Sequence, residues 1–280
     1  MDSRAPIGIF DSGVGGLSVY REIRKLLPHE NLLYFGDTKR APYGVRSVAQ
    51  IQDFTREILQ FLEQNQVKAA VAACNTITVN LASLPSEFSF PILGMSQGAS
   101  QAAALSQTGN IAVLGTNATI HSGKHLQALR HIAPSLKVYP IACPRFAPLV
   151  EAGSFTGSLA EEAVEEYVRP LRAAQVDVVI LACTHYPFLK DLLQKALPNA
   201  YFLDPAKETA AQLQLALQKQ QLSNRQGQGY DKLFFSGNTQ SGLLLLRQVH
   251  LQGKADIASA QLPEALLKNE SKGGLVHVVC

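Results

Sequence analysis

Short apolar runs alternate with helical patterns along most of the chain. The segment Ser47–Asn65 has apolar residues at helical spacing behind a serine suited to the N-cap, which predicts a helix. Because the strand-like runs are continuously apolar, we expect parallel sheets covered on both faces. The sequence therefore predicts an α/β fold. The predicted strands are Ile7–Phe10, Asn31–Phe35, Val67–Ala73, Pro91–Gly94, Asn110–Leu114, Leu136–Ile141, Asp177–Leu181, Ala200–Leu203, Lys232–Phe235 and a late strand within Leu275–Cys280.

The same pattern occurs twice, in the same order, in two parts of the chain. Ile7–Gly13 and Ile111–Asn117 are each an apolar strand that ends in a small polar turn. Further along, Ala69–Thr76 and Val178–His185 are each an apolar strand followed by a cysteine. We infer two α/β units related by an approximate twofold axis.

Composition and charge argue against nucleic acid and membranes as binding partners. Charged residues make up 17% of the chain and the net charge is +3, without the clustered Lys/Arg patch expected of a nucleic-acid binder. The first residues lack the apolar core of a signal peptide, and no apolar run approaches the ~18 residues expected of a membrane span. We expect a cytoplasmic protein that binds neither nucleic acid nor membrane.

Four cysteines are the main candidates for chemistry. Their spacing is wide and irregular, which matches neither a zinc site nor a disulfide framework, so no metal is predicted. Cys143 and Cys280 are expected to be small buried hydrophobic residues. Cys74 and Cys183 differ, because each comes at the end of an apolar strand in one of the two matching units.

A pair of opposed thiols suits one kind of reaction. Asn75, Thr76 and Thr184 are good N-cap residues, so each cysteine is expected at a helix start, which lowers a thiol's pKa. Removing a proton from one face of a carbon and returning it to the other face requires a base and an acid on opposite sides. One cysteine from each unit meets this requirement.

Other residues near the strand ends allow two interpretations each. Asp11 is either a turn residue or a carboxylate that bonds a thiol or a substrate ammonium. His185 either caps a helix or assists Cys183. The glycine-rich segment Gly13–Ser18 lacks the phosphate-loop pattern, and Ala41–Gly44 is either an ordinary turn or part of a pocket wall.

Together these segments closely resemble the glutamate racemase family of the aspartate/glutamate racemase superfamily. The stretches that carry the resemblance are Gly8–Ser18, Tyr34–Asp37, Ala41–Gly44, Ala73–Thr76, Gly115–Ile120, Cys143–Phe146 and Leu181–Pro187. The resemblance implies interconversion of L- and D-glutamate without a cofactor, which supplies D-glutamate for peptidoglycan. It implies two α/β domains that face each other across a cleft, with residues 1–97 in the first, 98–205 in the second and 206–280 returning to the first. It also implies a homodimer.

The resemblance also assigns roles to individual residues. By this likeness Cys74 takes the proton from D-glutamate, Cys183 takes it from L-glutamate, and Asp11 and His185 assist the thiols. The residues expected to contact substrate are Asp11, Ser12, Tyr43, Gly44, Asn75, Thr76, Thr184 and His185, with Thr116, Thr119 and Glu151 as further candidates.

Three other functions remain open at this point. The first is a racemase of the same superfamily that acts on aspartate or a hydantoin. A cysteine hydrolase using Cys183 and His185 is disfavoured, because residues two apart after a strand rarely bring a base to the nucleophile. A two-lobed small-molecule binding protein is the non-enzymatic alternative, in which the cysteines only pack.

Overall fold

The strands form two separate sheets. The computed structural model describes residues 2–237, 239–248, 254–259 and 276–279. Its strands are β1 (Ile7–Asp11), β2 (Leu32–Gly36), β3 (Ala69–Ala72), β4 (Ile92–Gly94), β5 (Asn110–Gly115), β6 (Lys137–Ala142), β7 (Val178–Ala182), β8 (Tyr201–Leu203), β9 (Asp231–Phe235), β10 (Lys254–Ser259) and β11 (Val276–Val279). The first sheet has the order β11-β10-β9-β2-β1-β3-β4, and the second has the order β6-β5-β7-β8.

Helices connect the strands and cover both sheets. They are α1 (Leu17–Leu26), α2 (Val48–Gln64), α3 (Asn75–Asn80), α4 (Ala99–Leu105), α5 (Asn117–His121), α6 (Lys124–Ile132), α7 (Phe146–Glu151), α8 (Ser158–Ala173), α9 (Lys190–Ala196), α10 (Ala206–Lys219) and α11 (Gln240–Gln248). Short 3-10 turns cover Tyr43–Val45, Leu84–Glu87 and Tyr186–Leu189. Every strand pair in the described residues is parallel except β10 with β11. The predicted α/β class is confirmed.

The two sheets share the arrangement that the repeated pattern predicts. In the first sheet β1 lies between β2 and β3, and in the second β5 lies between β6 and β7. The strands β3 and β7, which precede Cys74 and Cys183, are therefore both neighbours of a central strand. The predicted strands agree with these to within a few residues, and the Ser47 capping box begins α2 as expected. The connection between the two sheets contains only the short helix α4, which ends at Leu105.

The last part of the chain returns to the first sheet. Strand β9 pairs with β2, and α10 packs against α1. Cys143 is fully buried, as expected, whereas Cys280 lies outside the described residues. The domain boundaries at residues 97 and 205 stay a prediction.

A buried ion pair holds the amino ends of the first sheet together. The Lys68 ammonium and the Glu30 carboxylate are both shielded from water and bonded to each other. Lys68 also donates to the Leu222 carbonyl at 2.8 Å, and Glu30 accepts from the Asn224 backbone N–H at 2.8 Å. A buried charge requires such compensation, since removing one partner costs about 3–5 kcal/mol. The pair thus joins three distant parts of the chain at the edge opposite the strand ends that carry the cysteines.

The part of the chain that the structure describes contains neither a membrane-spanning helix nor a metal-binding cluster. No helix there has both the length and the apolar character needed to cross a bilayer. Nor do the described residues contain a group of three or more His, Cys, Asp or Glu side chains arranged to hold a metal ion.

A buried histidine makes the fold sensitive to acid. His125, at the start of α6, is 4% exposed and neither ring nitrogen has a hydrogen-bond partner, so burial lowers its pKa from 6.5 to about 4. The unfolded chain takes up this proton first. Stability is therefore fully present above pH 6.5 and is lost as the pH falls towards 4.

Acidification from pH 7.5 to pH 4.5 lowers the free energy of unfolding of the unmodified protein. We predict that this drop is about 2 to 3 kcal/mol smaller in His125→Leu. Denaturant unfolding of the two proteins at both pH values measures the difference. The matched control is His131→Leu at the exposed end of the same helix, which should leave the pH dependence as it is. Equal losses in His125→Leu and the unmodified protein would contradict the prediction.

Candidate active site

The carboxyl ends of the two sheets meet, and the predicted site residues lie where they meet. Asp11 ends β1 and Cys74 follows β3 in the first sheet, while Thr116 follows β5 and Cys183 follows β7 in the second. All four side chains are at most 9% exposed. In open parallel sheets this edge is where ligands bind. The structure therefore brings the two thiols to one buried region from opposite sheets.

A hydrogen-bonded chain connects Cys74 to Asp11. The Cys74 thiol donates to the Ser12 hydroxyl at 3.4 Å, and this hydroxyl donates to Asp11 Oδ1 at 3.5 Å. The other oxygen of Asp11 accepts from the Gly16 N–H at 2.8 Å. Every member of this chain comes from elements of the first sheet.

Burial dominates the acidity of this half of the site. Removal from water raises the pKa of Asp11, against the opposing effects of His185 and the Gly16 N–H. Burial, followed by the nearby Asp11 carboxylate, raises the pKa of the Cys74 thiol well above its ordinary value. The expectation of a lowered pKa for this cysteine is therefore wrong, because α3 is only six residues long and the thiol is buried.

A second chain supports Cys183 and spans both sheets. The Cys183 sulfur lies 3.7 Å from Nδ1 of His185, whose Nε2 lies 2.6 Å from Oε1 of Glu151. The same glutamate oxygen accepts from the Val14 N–H of the first sheet at 2.9 Å. Gly15 packs so closely over the imidazole that a Cβ there would collide with the ring. Glu151 therefore links the imidazole to the backbone of the first sheet.

The contact between Cys183 and His185 corrects the sequence argument that residues two apart after a strand rarely meet. Cys183 is followed by a turn and then the 3-10 turn Tyr186–Leu189, so Thr184 does not cap an α-helix. This turn folds the imidazole back over the sulfur. Burial lowers the pKa of His185, but Cys183 and Glu151 outweigh this effect and raise it well above the ordinary value.

Two polar atoms beside the cysteines have no partner. The Asn75 side-chain nitrogen and the Thr184 hydroxyl are buried and form no hydrogen bond, although each residue directly follows one of the thiols. An unsatisfied buried polar group costs about 1–3 kcal/mol. Such atoms are typical of a site whose ligand supplies the missing partner.

The remaining hydroxyls join the two sheets. The hydroxyls of Thr76 and Thr116 lie 2.8 Å apart across the junction, and Thr116 donates to the Thr119 hydroxyl at 3.0 Å. Thr116 also caps α5 by accepting from the Thr119 N–H at 3.2 Å. The three threonines thus lie within the buried region where the sheets meet.

Tyr43 and Gly44 form a wall of the same region. The 3-10 turn Tyr43–Val45 contacts α3 and α5, and Tyr43 belongs to the same apolar cluster as Cys74. A Cβ at Gly44 would lie 2.9 Å from Cβ of Thr116, so a glycine allows the close approach. The Tyr43 hydroxyl donates to Asp37, and the tyrosine ring packs against the Phe54 ring.

Sequence reasoning missed three contributors. The Val14 N–H binds Glu151, the Tyr34 hydroxyl donates to the Gly13 carbonyl at 2.9 Å, and Asp37 binds Tyr43. A backbone N–H carries no side-chain signal. Tyr34 and Asp37 are the ends of one of the stretches that carry the resemblance. The signal that could have identified Asp37 is its position directly after an apolar strand.

Two parallel α/β sheets that meet at their carboxyl ends, with one thiol from each, define a class of two-lobed α/β proteins with a paired-thiol site. This chain belongs to the Asp/Glu/Hydantoin racemase family, whose sequence model matches residues 7–213.

Individual relatives agree with this assignment. A protein of Streptococcus suis named glutamate racemase is 44% identical over 220 residues, which is 78% of this chain and 83% of the relative. The crystal structure of glutamate racemase isoform RacE1 from Bacillus anthracis superposes with a TM-score of 0.85 at 35% identity, covering 93% of this chain and 99% of that one. The glutamate racemase of Francisella tularensis in complex with D-glutamate gives a TM-score of 0.84 at 28% identity, covering 94% and 99%.

We predict that Glu151→Gln lowers the pKa of His185, because the change removes a carboxylate that stabilises the imidazolium. An NMR titration of the labelled imidazole measures the shift. The matched control is Glu165→Gln, which removes an exposed carboxylate paired with Arg172 on the surface and should leave the His185 titration unchanged. An unshifted His185 in Glu151→Gln would refute the assigned contact.

Proposed function

We propose that this protein interconverts L- and D-glutamate by a two-thiol mechanism that uses no cofactor. The observation that carries the proposal is the pair of buried thiols, Cys74 and Cys183, delivered from two sheets to one region. The Cys183 charge contributes to the raised pKa of Cys74, so the sulfurs are close enough to interact electrostatically. Relatives named glutamate racemase support glutamate as the substrate.

The proposed reaction moves one proton in and one proton out. With L-glutamate, the Cys183 thiolate takes the proton from Cα and leaves its electron pair on the carbon. The Cys74 thiol then donates its own proton to the opposite face, which gives D-glutamate and a Cys74 thiolate. The reverse reaction exchanges these roles and restores the first state.

The residues beside the two sulfurs have different roles in the proposed reaction. Asp11, through Ser12, offers a carboxylate that accepts hydrogen bonds and keeps the Cys74 proton in place. His185 lies beside Cys183 and can carry a proton to or from it, while Glu151 holds the ring. Buried electrostatic contacts of this kind act more strongly than exposed ones.

The substrate would occupy the unsatisfied positions. The Asn75 nitrogen is a donor suited to a substrate carboxylate, and the Thr184 hydroxyl can donate to a carboxylate or accept from the ammonium. Thr76 and the Gly44 backbone lie at the junction, and Tyr43 closes one side. The D-glutamate bound to the Francisella tularensis relative supports a ligand of this size and charge.

The alternatives fit the structure less well. A binding protein needs no acid–base partners, yet each thiol has one. A hydrolase is compatible with the contact between Cys183 and His185, but it leaves Cys74 and Asp11 without a task. Racemisation of aspartate uses the same thiols, and a panel of substrates separates it from the glutamate reaction.

The biological setting is also part of the proposal. D-Glutamate made by this reaction would supply peptidoglycan synthesis, as the family likeness implies. We propose that the protein acts in the cytoplasm and forms a homodimer. Sedimentation of the purified protein tests whether it is a dimer.

We predict that incubation with L-glutamate in D2O, without added pyridoxal phosphate, places deuterium at Cα and generates D-glutamate. Solvent deuterium enters because the proton donated to Cα comes from an exchangeable thiol. Mass spectrometry and chiral chromatography measure both products. Failure to exchange and failure to racemise would together sink the proposed function, and a faster reaction with L-aspartate would transfer it to that substrate.

We predict that Cys74→Ala and Cys183→Ala each lower racemisation of both enantiomers by at least about a thousandfold, since one sulfur cannot serve both faces. Cys143→Ala is the matched control, because this buried cysteine directly follows β6 and its thiol donates to the backbone carbonyl of Ile141. It should retain activity within about threefold. A single-cysteine variant with substantial activity would rule out the two-thiol mechanism.

A further inference from the structure

A buried carboxylate near the site has no part in the proton transfer described above. Asp37 directly follows β2 and is fully shielded from water. Its Oδ2 accepts from the Tyr43 hydroxyl and from Arg40 Nε, the latter at 2.5 Å. Its Oδ1 accepts from the Ser236 hydroxyl at 2.6 Å. Both oxygens of this carboxylate are therefore bonded to neighbouring protein groups.

The backbone of Asp37 is anchored to the strand that carries the site. Its N–H donates to the carbonyl of Asp11 at 3.0 Å, and the preceding residue, Gly36, pairs in register with Asp11. The position of this carboxylate is thus set by the strand end that also positions the partner of Cys74.

On its other side, Asp37 reaches the wall of the site through a single hydroxyl. Tyr43 packs in the apolar cluster that contains Cys74, and its ring lies 5.3 Å from the Phe54 ring, centroid to centroid. The next residue, Gly44, closes against Thr116 of the second sheet. A shift of Tyr43 would therefore move the wall relative to both sheets.

The charge of Asp37 is compensated locally. Arg40 bonds both Asp37 and Glu57, and its guanidinium lies 4.0 Å over the Phe54 ring. Because Arg40 and Tyr43 both bind Oδ2, the segment between Asp37 and Tyr43 is closed into a fixed loop. Ser236 holds the opposite oxygen and does not touch Tyr43.

We propose that Asp37 is a positioning residue that fixes the Tyr43–Gly44 wall against the bound substrate through the Tyr43 hydroxyl. This inference rests on the proposed glutamate racemisation and adds to it a determinant of substrate affinity. The side-chain partners of Asp37 are Arg40, Tyr43 and Ser236 rather than either thiol, so its effect on substrate would be indirect. Its loss should therefore weaken substrate binding in ground and transition state alike, which raises KM and leaves kcat nearly unchanged.

A double-mutant cycle tests the proposal. We expect Asp37→Ala and Tyr43→Phe each to raise KM for both glutamate enantiomers about tenfold, with kcat within about threefold. The double variant should be no worse than the poorer single variant, since both changes break the same contact. The matched control is Ser236→Ala, which removes the hydrogen bond to the other oxygen and should change KM by less than about twofold.

Each outcome decides the matter. Additive effects on KM, an unchanged KM in Tyr43→Phe, or an equal rise in Ser236→Ala would overturn the positioning role. If Asp37→Ala does not fold, as circular dichroism and a thermal melt reveal, the comparison of Tyr43→Phe with Ser236→Ala decides alone. A wild-type protein without racemase activity would overturn the proposed function together with this inference, whereas an active wild type with insensitive variants overturns only the inference.

Discussion

The carboxylate of Glu151 is the contact on which the assembled site depends. One of its oxygens accepts from the Val14 N–H of the first sheet and faces Nε2 of His185 in the second. A carboxylate at this junction balances the imidazolium that the raised pKa of His185 favours. Separation of the sheets would leave His185 without the backbone-fixed partner. The geometry of the Cys183 half therefore depends on a group supplied by the other half.

The two thiols consequently have unequal surroundings despite their matching positions. Cys74 depends on Ser12 and Asp11, which belong to its own sheet and stay together whatever the second sheet does. Cys183 contacts His185, whose partner Glu151 also accepts a hydrogen bond from the Val14 N–H of the first sheet. The approximate twofold symmetry thus places the sulfurs but does not extend to their partners. In the proposed reaction, a carboxylate on one side and an imidazole on the other would also make the two proton transfers chemically distinct.

The sequence predicts those parts of this arrangement that depend on local patterns. Continuous apolar runs predict β1, β3, β5 and β7 because parallel strands are buried on both faces. The cysteines after β3 and β7 stand out in the sequence, because a residue that directly follows a buried parallel strand lies at the carboxyl edge of its sheet, where ligands bind. Asp37 is different. Its task depends on Ser236, 199 residues away, and on a tyrosine hydroxyl whose direction no spacing rule gives.

The acidity of the thiols shows a second limit of local reasoning. The helix-start rule concerns a charge at the end of an exposed helix, and it predicts a lowered pKa for Cys74. In the fold, burial and the Asp11 carboxylate outweigh that effect and raise the pKa. Whether a strand-end cysteine is exposed or enclosed depends on the second sheet, which lies far away in sequence. A local sequence pattern therefore does not predict whether such a cysteine is buried.

The same enclosure leaves two buried polar atoms that the proposed substrate could bind. Asn75 and Thr184 each hold a buried polar atom without a partner, at a cost of about 1–3 kcal/mol apiece. These atoms flank the two sulfurs, so a ligand that satisfies them is also placed between the base and the acid. In the proposed reaction, a substrate that supplies these partners would relieve this penalty. The buried atoms that lack a partner in the structure are therefore the ones that would orient the proposed substrate between the two thiols.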